Sequence, residues 1–477
     1  MSLANPGLIP SVSFHKYDES RVIAIEPDTA SWAVVDAQGE EFLRSLDGSR
    51  SISSIAEGGP EKRELLDRAY AIGLIALGQD RRLPPDLFQR MPVHVQPWHA
   101  VLNITRNCNL KCVYCYARAG DDSQNMSPDM IYRVFQSYAD GAWEPAETSD
   151  GRITMIMHGG EPLMALDEMR EGVRRIRRHP KQERLEILLQ TNGTMFTDEA
   201  VQFFREEHVG VGVSFDGIEW CHDRTRPFAH GKPSYAAVLR GIERLKEEGI
   251  GFGVLVVVTS ITAPHVEQIF DDILARGIRS ISFNRFFHGG RGKAVGAELA
   301  ISDEQWYRVQ RTLLERLIAV NRAEKDPANY VRIREFGHML QNLLTKSRMW
   351  ICMRSPCGAG WVHLAFMPDG SVYPCDRYIG EGEMVLGNLN DKSLSEILNG
   401  NPLLERILAR RVDRVERCRM CDWRWVCGGD CPARVYLQNG TIDSAGVQCD
   451  SIRRITQDMI VMLDKGLLTP EYLILDD

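Results

Sequence analysis

The sequence predicts an α/β protein built on a partial (β/α)6, TIM-like barrel, with a small winged-helix-like unit before it and a cysteine-rich unit after it. Three observations predict this. From about residue 100, six short apolar runs alternate with amphipathic stretches, the pattern of a parallel sheet with helices outside it. Before residue 80 the order is three strands and then helices. Beyond residue 350 the periodicity fades while cysteine, glycine and tryptophan accumulate.

The elements follow in order. In the first unit, taken as residues 1–85, segments 12–15, 22–25 and 32–35 read as short strands between turn residues. Segments 40–46 and 61–74 carry apolar residues at helical spacing. A Pro- and Arg-rich linker follows over 86–98. The barrel spans 99–325, with strands at 101–105, 153–158, 185–190, 209–215, 252–259 and 281–286. Helices at 128–139, 165–177, 197–207, 235–248 and 264–276 separate them. Chemistry in such folds sits at the carboxyl ends of the strands. Helical patterning continues from Ser302 to about Leu344, giving a helical bridge over 326–350. Residues 351–477 are expected to form a separate unit stapled by metal, because short loops bury too little apolar surface on their own.

Composition narrows the function. The chain has 477 residues and a formal net charge of −8, and no basic run stands out, so nucleic acid is not an expected partner. Met1 to Pro6 show neither a charged n-region nor an apolar h-region, so no signal peptide is expected. The apolar run around Val254 to Val258 is far too short to cross a bilayer, and no membrane partner is expected. A cytoplasmic setting follows, where clustered cysteines mean metal more often than disulfide.

Eleven of the 12 cysteines fall into three groups. Cys108, Cys112 and Cys115 are spaced C-x3-C-x2-C directly after a strand. Cys352, Cys357 and Cys375 form the second group, and Cys418, Cys421, Cys427, Cys431 and Cys449 the third. Three thiolates can hold three irons of a cubane and leave the fourth iron open, and eight more complete two fully ligated clusters. A zinc site is the competing reading of either C-x2-C pair.

The first group resembles the radical S-adenosylmethionine (SAM) superfamily, and three further motifs at successive strand ends resemble it too. The resemblance implies that the methionine part of SAM chelates the open iron and that one electron cleaves SAM to a hydrogen-abstracting 5′-deoxyadenosyl radical. Gly159-Gly160-Glu161-Pro162 matches the GGEP motif, whose backbone and carboxylate hold the SAM amino group. Glycine permits close backbone approach, and an acid pairs with an ammonium. Thr191-Asn192-Gly193 resembles the polar turn near SAM, and Ser214 with Asp216 resembles the SxDG segment near its ribose and carboxylate. Tyr114 matches the aromatic position against the adenine, and Arg226 is a candidate partner of the SAM carboxylate.

The second and third groups resemble the SPASM extension of peptide-modifying radical SAM enzymes. That resemblance implies two interleaved auxiliary clusters, for three [4Fe–4S] clusters in all. Cys352, Cys357, Cys375 and Cys431 would hold one auxiliary cluster, and Cys418, Cys421, Cys427 and Cys449 the other. Cys221 reads as a small buried hydrophobe. Asp376 occupies the place of a catalytic base in sulfatase-maturing relatives; a hydrogen bond beside a cluster is the plainer reading. The first unit resembles the precursor-recognition domain of ribosomal peptide maturases, in which a leader peptide adds as a strand. The expected function is oxidative cross-linking, by a thioether or C–C bond, of a ribosomally made precursor peptide or small protein, with an external electron donor. Length and layout also resemble the maturase of the quinohemoprotein amine dehydrogenase small subunit. Formylglycine formation in a sulfatase, a non-enzymatic iron–sulfur peptide-binding protein and a zinc-stapled interaction protein are the alternatives.

Overall fold

The computed structural model describes residues 5–83, 97–141, 151–345 and 351–472. The expected linker over 86–98 lies outside the described residues except for its last two positions, as do the end of the bridge and the last five residues of the chain.

Strands Ser13–Lys16, Val22–Glu26 and Ser31–Val35 pair antiparallel in that order. Their alternation sends Val22, Ala24, Ala33 and Val35 to one face, where they meet Phe42, Leu43 and Leu66. Ile23 and Ile25, both fully buried, point the other way into the core of the body. The sheet is thus covered on both faces. The Asp36 side chain accepts from Gly39 N (2.7 Å) and starts the helix Ala37–Arg44 ahead of the expected 40. The expected helix 61–74 is Pro60–Ala71, ended by a left-handed Gly73 whose added Cβ would lie 2.3 Å from Arg82 O. Two features escaped the sequence pattern, the five-residue helix Ile52–Ala56 and a ribbon of Pro6–Leu8, Ile75–Leu77 and Asp80–Arg81. Polar contacts weld the unit to the body. The Trp32 indole donates to Leu343 O (3.2 Å), and Tyr17 and Tyr307 both donate to buried Asp458 (2.8 Å each), which also pairs with Arg311.

The barrel strands His99–Thr105, Ile153–Gly159, Leu185–Thr191, Gly210–Ser214, Phe252–Val258 and Ser280–Arg285 lie parallel, neighbour to neighbour in chain order. Arg332–Ile333 adds a short parallel strand at the far edge. Helices Pro128–Ala139, Leu166–Ile176, Asp198–Glu206, Tyr235–Glu247 and Val266–Ala275 lie between the strands. Local chemistry sets their starts: the Ser127 side chain accepts from Met130 N and Pro128 fills the first turn, where no N–H is needed.

The cysteine-rich tail is not the separate body the sequence implied. Its strand His363–Phe366 runs parallel to His99–Thr105, with His363 opposite His99. Ser371–Tyr373 and Gly387–Asn388 continue the sheet antiparallel. The first barrel strand is buried throughout, and an unpaired edge there would leave buried N–H and C=O groups without partners. The tail supplies them. Among the described residues, no helix is long and apolar enough to cross a membrane.

Candidate active site

At the carboxyl ends of the strands lies a partly open cavity whose wall includes Cys108, Cys112 and Cys115. Two neighbouring segments clamp the loop that carries them. Gly160 N donates to Thr105 O (2.7 Å) and Glu161 N to Asn107 O (2.9 Å). A Cβ on Gly160 would fall 1.8 Å from Asn107 O, so only glycine lets the second strand approach this closely. On the other side Arg291 donates to Cys112 O (3.1 Å) and Ala119 O (2.8 Å), and its N–H to Cys115 O (2.9 Å).

The wall brings together Tyr114, Gly159, Gly160, Thr191, Asn192, Ser214 and Arg226. Asn192 Nδ2 reaches Cys108 Sγ at 3.9 Å and Arg226 reaches Cys112 Sγ at 4.0 Å. Three acidic residues lie behind the wall instead of in it. The Glu161 carboxylate, expected to grip the SAM amino group, faces inward. It accepts from Leu163 N (3.1 Å), Thr191 Oγ1 (2.7 Å) and Asn192 N (2.7 Å), tying one motif to the next. Burial raises its pKa to about 7 despite those three donors. Asp216 accepts from the Tyr114 hydroxyl, Thr225 Oγ1 (2.7 Å) and Val257 N (2.9 Å), and pairs with Arg226 at 3.1 Å. Burial pushes its carboxyl up, but the Arg226 guanidinium and these donors outweigh that and hold it low. Asp216 therefore aims Tyr114 and Arg226, whose guanidinium lies 5.3 Å from the Tyr114 ring centre.

Asp376 is the third. It accepts from the Tyr116 hydroxyl (2.9 Å), lies 3.4 Å from His363 Nε2 and 3.6 Å from Arg377 Nε, and its neighbour Cys375 donates to it (3.1 Å). Burial raises its pKa, yet His363, Arg377 and His158 together hold it well below the usual carboxylate range. His363 Nδ1 meets His99 Nδ1 at 2.6 Å. Tyr116, His158, Phe287 and Arg377 line the cavity and were not singled out from sequence. Tyr116 and Arg377 directly follow Cys115 and Asp376, and that adjacency was the available signal.

The remaining thiols form two nests. Cys431 lies within electrostatic reach of Cys352, Cys357 and Cys375, and Cys449 within reach of Cys418, Cys421 and Cys427. Burial raises the Cys352, Cys357, Cys375, Cys418, Cys427 and Cys449 thiols, and neighbouring thiols raise them further. Four thiolates held close together repel, and cationic metal relieves that repulsion, so the donor sets fit iron–sulfur clusters. Cys221 is buried apart from both nests, beside Ile261 O.

A partial parallel barrel with a three-cysteine loop at its strand ends and cysteine nests beyond it defines a radical SAM enzyme with an iron–sulfur tail. The comparisons agree. Residues 102–273 match the radical SAM superfamily and 357–422 the SPASM iron–sulfur cluster-binding domain, and the chain belongs to the radical SAM enzymes that carry this extension. The enzyme uses a [4Fe–4S] cluster, auxiliary clusters and SAM. The chain is 26% identical over 372 residues to the cysteine-type anaerobic sulfatase-maturating enzyme of Clostridium novyi, covering 77% of this chain and 96% of that one. It resembles the structure of anSMEcpe with bound AdoMet (TM-score 0.66, 23% identity, 77% of this chain and 99% of that one). It also resembles Streptococcus suis SuiB bound to S-adenosylmethionine (TM-score 0.54, 13% identity, 92% of this chain and 98% of that one).

Proposed function

We propose that this enzyme modifies a ribosomally made peptide or small protein, removing hydrogen from it and closing an oxidative cross-link of thioether or C–C type. The observation that carries the reading is the N-terminal sheet-and-helix unit docked on the barrel and tail. The likeness to the sulfatase-maturating enzyme stops at 77% of this chain while covering nearly all of that protein, whereas the likeness to SuiB extends over 92%. SuiB has also been crystallised with its precursor peptide SuiA. A three-stranded sheet offers strand addition to a leader segment.

Cys108, Cys112 and Cys115 would hold the SAM-binding cluster, which with SAM supplies the hydrogen-abstracting radical. Gly159, Gly160, Thr191, Asn192, Ser214, Tyr114 and Arg226 would bind SAM, with Asp216 and Glu161 fixing their positions from behind. Cys352, Cys357, Cys375 and Cys431 would carry one auxiliary cluster, and Cys418, Cys421, Cys427 and Cys449 the other. The substrate residue would enter the cavity beside Tyr116, His158, Phe287 and Arg377. Asp376, kept ionised and bonded to Tyr116, is the candidate acceptor for the proton lost as the new bond closes. Formylglycine formation is the second reading, favoured by the sulfatase-maturating relative and by the position of Asp376.

The test compares a leader-bearing precursor with the same peptide lacking its leader, using the intact enzyme. Modification of the leaderless peptide should fall by roughly ten-fold or more, and added free leader should inhibit the full precursor. Equal processing of both peptides would remove the recognition role.

A further inference from the structure

The loop around the Cys418 nest presents an unusual surface for a chain of net charge −8. Met420 sits between two cluster cysteines and is 77% exposed, far above the other large exposed apolar residues. Around it Arg414, Arg417 and Arg419 are all exposed. Their local acids are mostly engaged elsewhere: Asp413 pairs with Arg411 (2.8 Å), and Asp422 with His15 of the N-terminal sheet (3.1 Å). Glu416 and Asp413 are the exposed acids among them, and Asp413 also lies within electrostatic reach of Arg414. None of the three arginines makes an ion pair or side-chain hydrogen bond among the described residues. Arg417 also acts electrostatically on the Cys418 and Cys449 thiols, so this face lies against the nest itself.

An exposed apolar side chain ringed by unpaired cations, directly over a redox centre, has the chemistry of a transient electron-transfer contact. Such contacts are small and depend on charge complementarity for encounter more than for affinity. The contact also has to let go, and a rim of exposed charge around one apolar residue serves that.

We propose that Arg414, Arg417, Arg419 and Met420 form the docking face for a small acidic one-electron carrier protein. Each encounter exchanges one electron between carrier and enzyme, so that one is oxidised as the other is reduced. The inference rests on the reading that the Cys418 nest holds an auxiliary cluster.

The test uses the full-length, anaerobically reconstituted enzyme and a small acidic [4Fe–4S] ferredoxin. Iron content and the EPR spectrum of the reduced enzyme are read first. If the Cys418 nest holds no cluster, the docking proposal falls together with the reading it rests on. With the cluster present, binding measured by calorimetry at low and high salt judges the docking face alone. The R414E/R419E variant should weaken the Kd by roughly ten-fold or more at low salt. Raising salt should weaken the unaltered enzyme in the same direction. M420S, which keeps every charge, should weaken the Kd at low and high salt alike and serves if the charge-reversed variant fails to fold. Salt-insensitive binding, unchanged affinity in both variants, or preference of the face for anionic vesicles over the ferredoxin would overturn the proposal.

Discussion

Replacing Gly160 by alanine tests how the cluster loop is held. The added Cβ would lie 1.8 Å from Asn107 O, 2.6 Å from Asn107 C and 3.2 Å from Arg106 C. These are backbone atoms, so no side chain can swing aside. Ordinary contact needs about 3.4 Å, which leaves about 1.6 Å to be made up by moving one segment away from the other. The two hydrogen bonds joining the segments, Gly160 N to Thr105 O and Glu161 N to Asn107 O, must then stretch or break. Overpacking of this kind costs about 1–3 kcal/mol of stability. A displacement of about 1 Å at a reacting centre costs on the order of 100-fold in rate. The assay is 5′-deoxyadenosine formation with dithionite, alongside iron content and thermal melting. The expected result is a folded protein that retains its auxiliary-cluster iron and has lost nearly all SAM cleavage. SAM cleavage at the rate of the unaltered enzyme would refute the claim that this glycine sets the position of the cluster loop.

Two further outcomes follow from the geometry. Y116F removes one donor to partly buried Asp376, a loss of about 1–3 kcal/mol for the carboxylate it serves, so peptide modification should fall by roughly ten-fold or more while deoxyadenosine formation persists; coupled losses of both products would show that Tyr116 acts in SAM binding instead. Glu161 has its pKa raised from 4.5 to about 7 by burial, so the folded state binds the extra proton, and the group's stabilising contribution, complete below 4.5, is lost as pH rises to about 7. E161Q should be destabilised overall, since an amide turns a donor toward one of three donors, but its melting temperature should fall less steeply across pH 4.5–7, and an unchanged slope would contradict the assignment.

Much of the fold was legible in the sequence because its elements are locally consistent. The apolar run of Phe252–Val258 reads as a buried parallel strand, and Ser127 followed by Pro128 marks a helix start. What the sequence concealed depends on residues far apart. The pairing of His363–Phe366 with His99–Thr105 joins segments 264 positions apart, and no local pattern announces it. The burial of Ile23 and Ile25 against the body is likewise tertiary, because alternation predicts two faces and not what covers the second. At the site, the motif residues line one cavity, but the directions of three carboxylates did not follow from spacing. Glu161, Asp216 and Asp376 each turn toward backbone or side-chain donors, and only the folded chain shows which donors are nearest. The N-terminal strand Ser13–Lys16 meets the Cys421–Cys427 loop through His15, which bonds Asp422 and lies 5.3 Å from the Trp423 ring centre. That contact spans nearly the whole chain and leaves no mark in the sequence.

The most direct test of the central claim is a single anaerobic experiment. The reconstituted protein is assayed for iron and sulfide, then given SAM, dithionite and the peptides encoded beside its gene, and the products are weighed. The account predicts about twelve irons per chain, as three cubane clusters require, together with 5′-deoxyadenosine and a peptide lighter by two hydrogens for each bond formed. Zinc in place of iron, or iron-loaded protein that yields no deoxyadenosine, would contradict it.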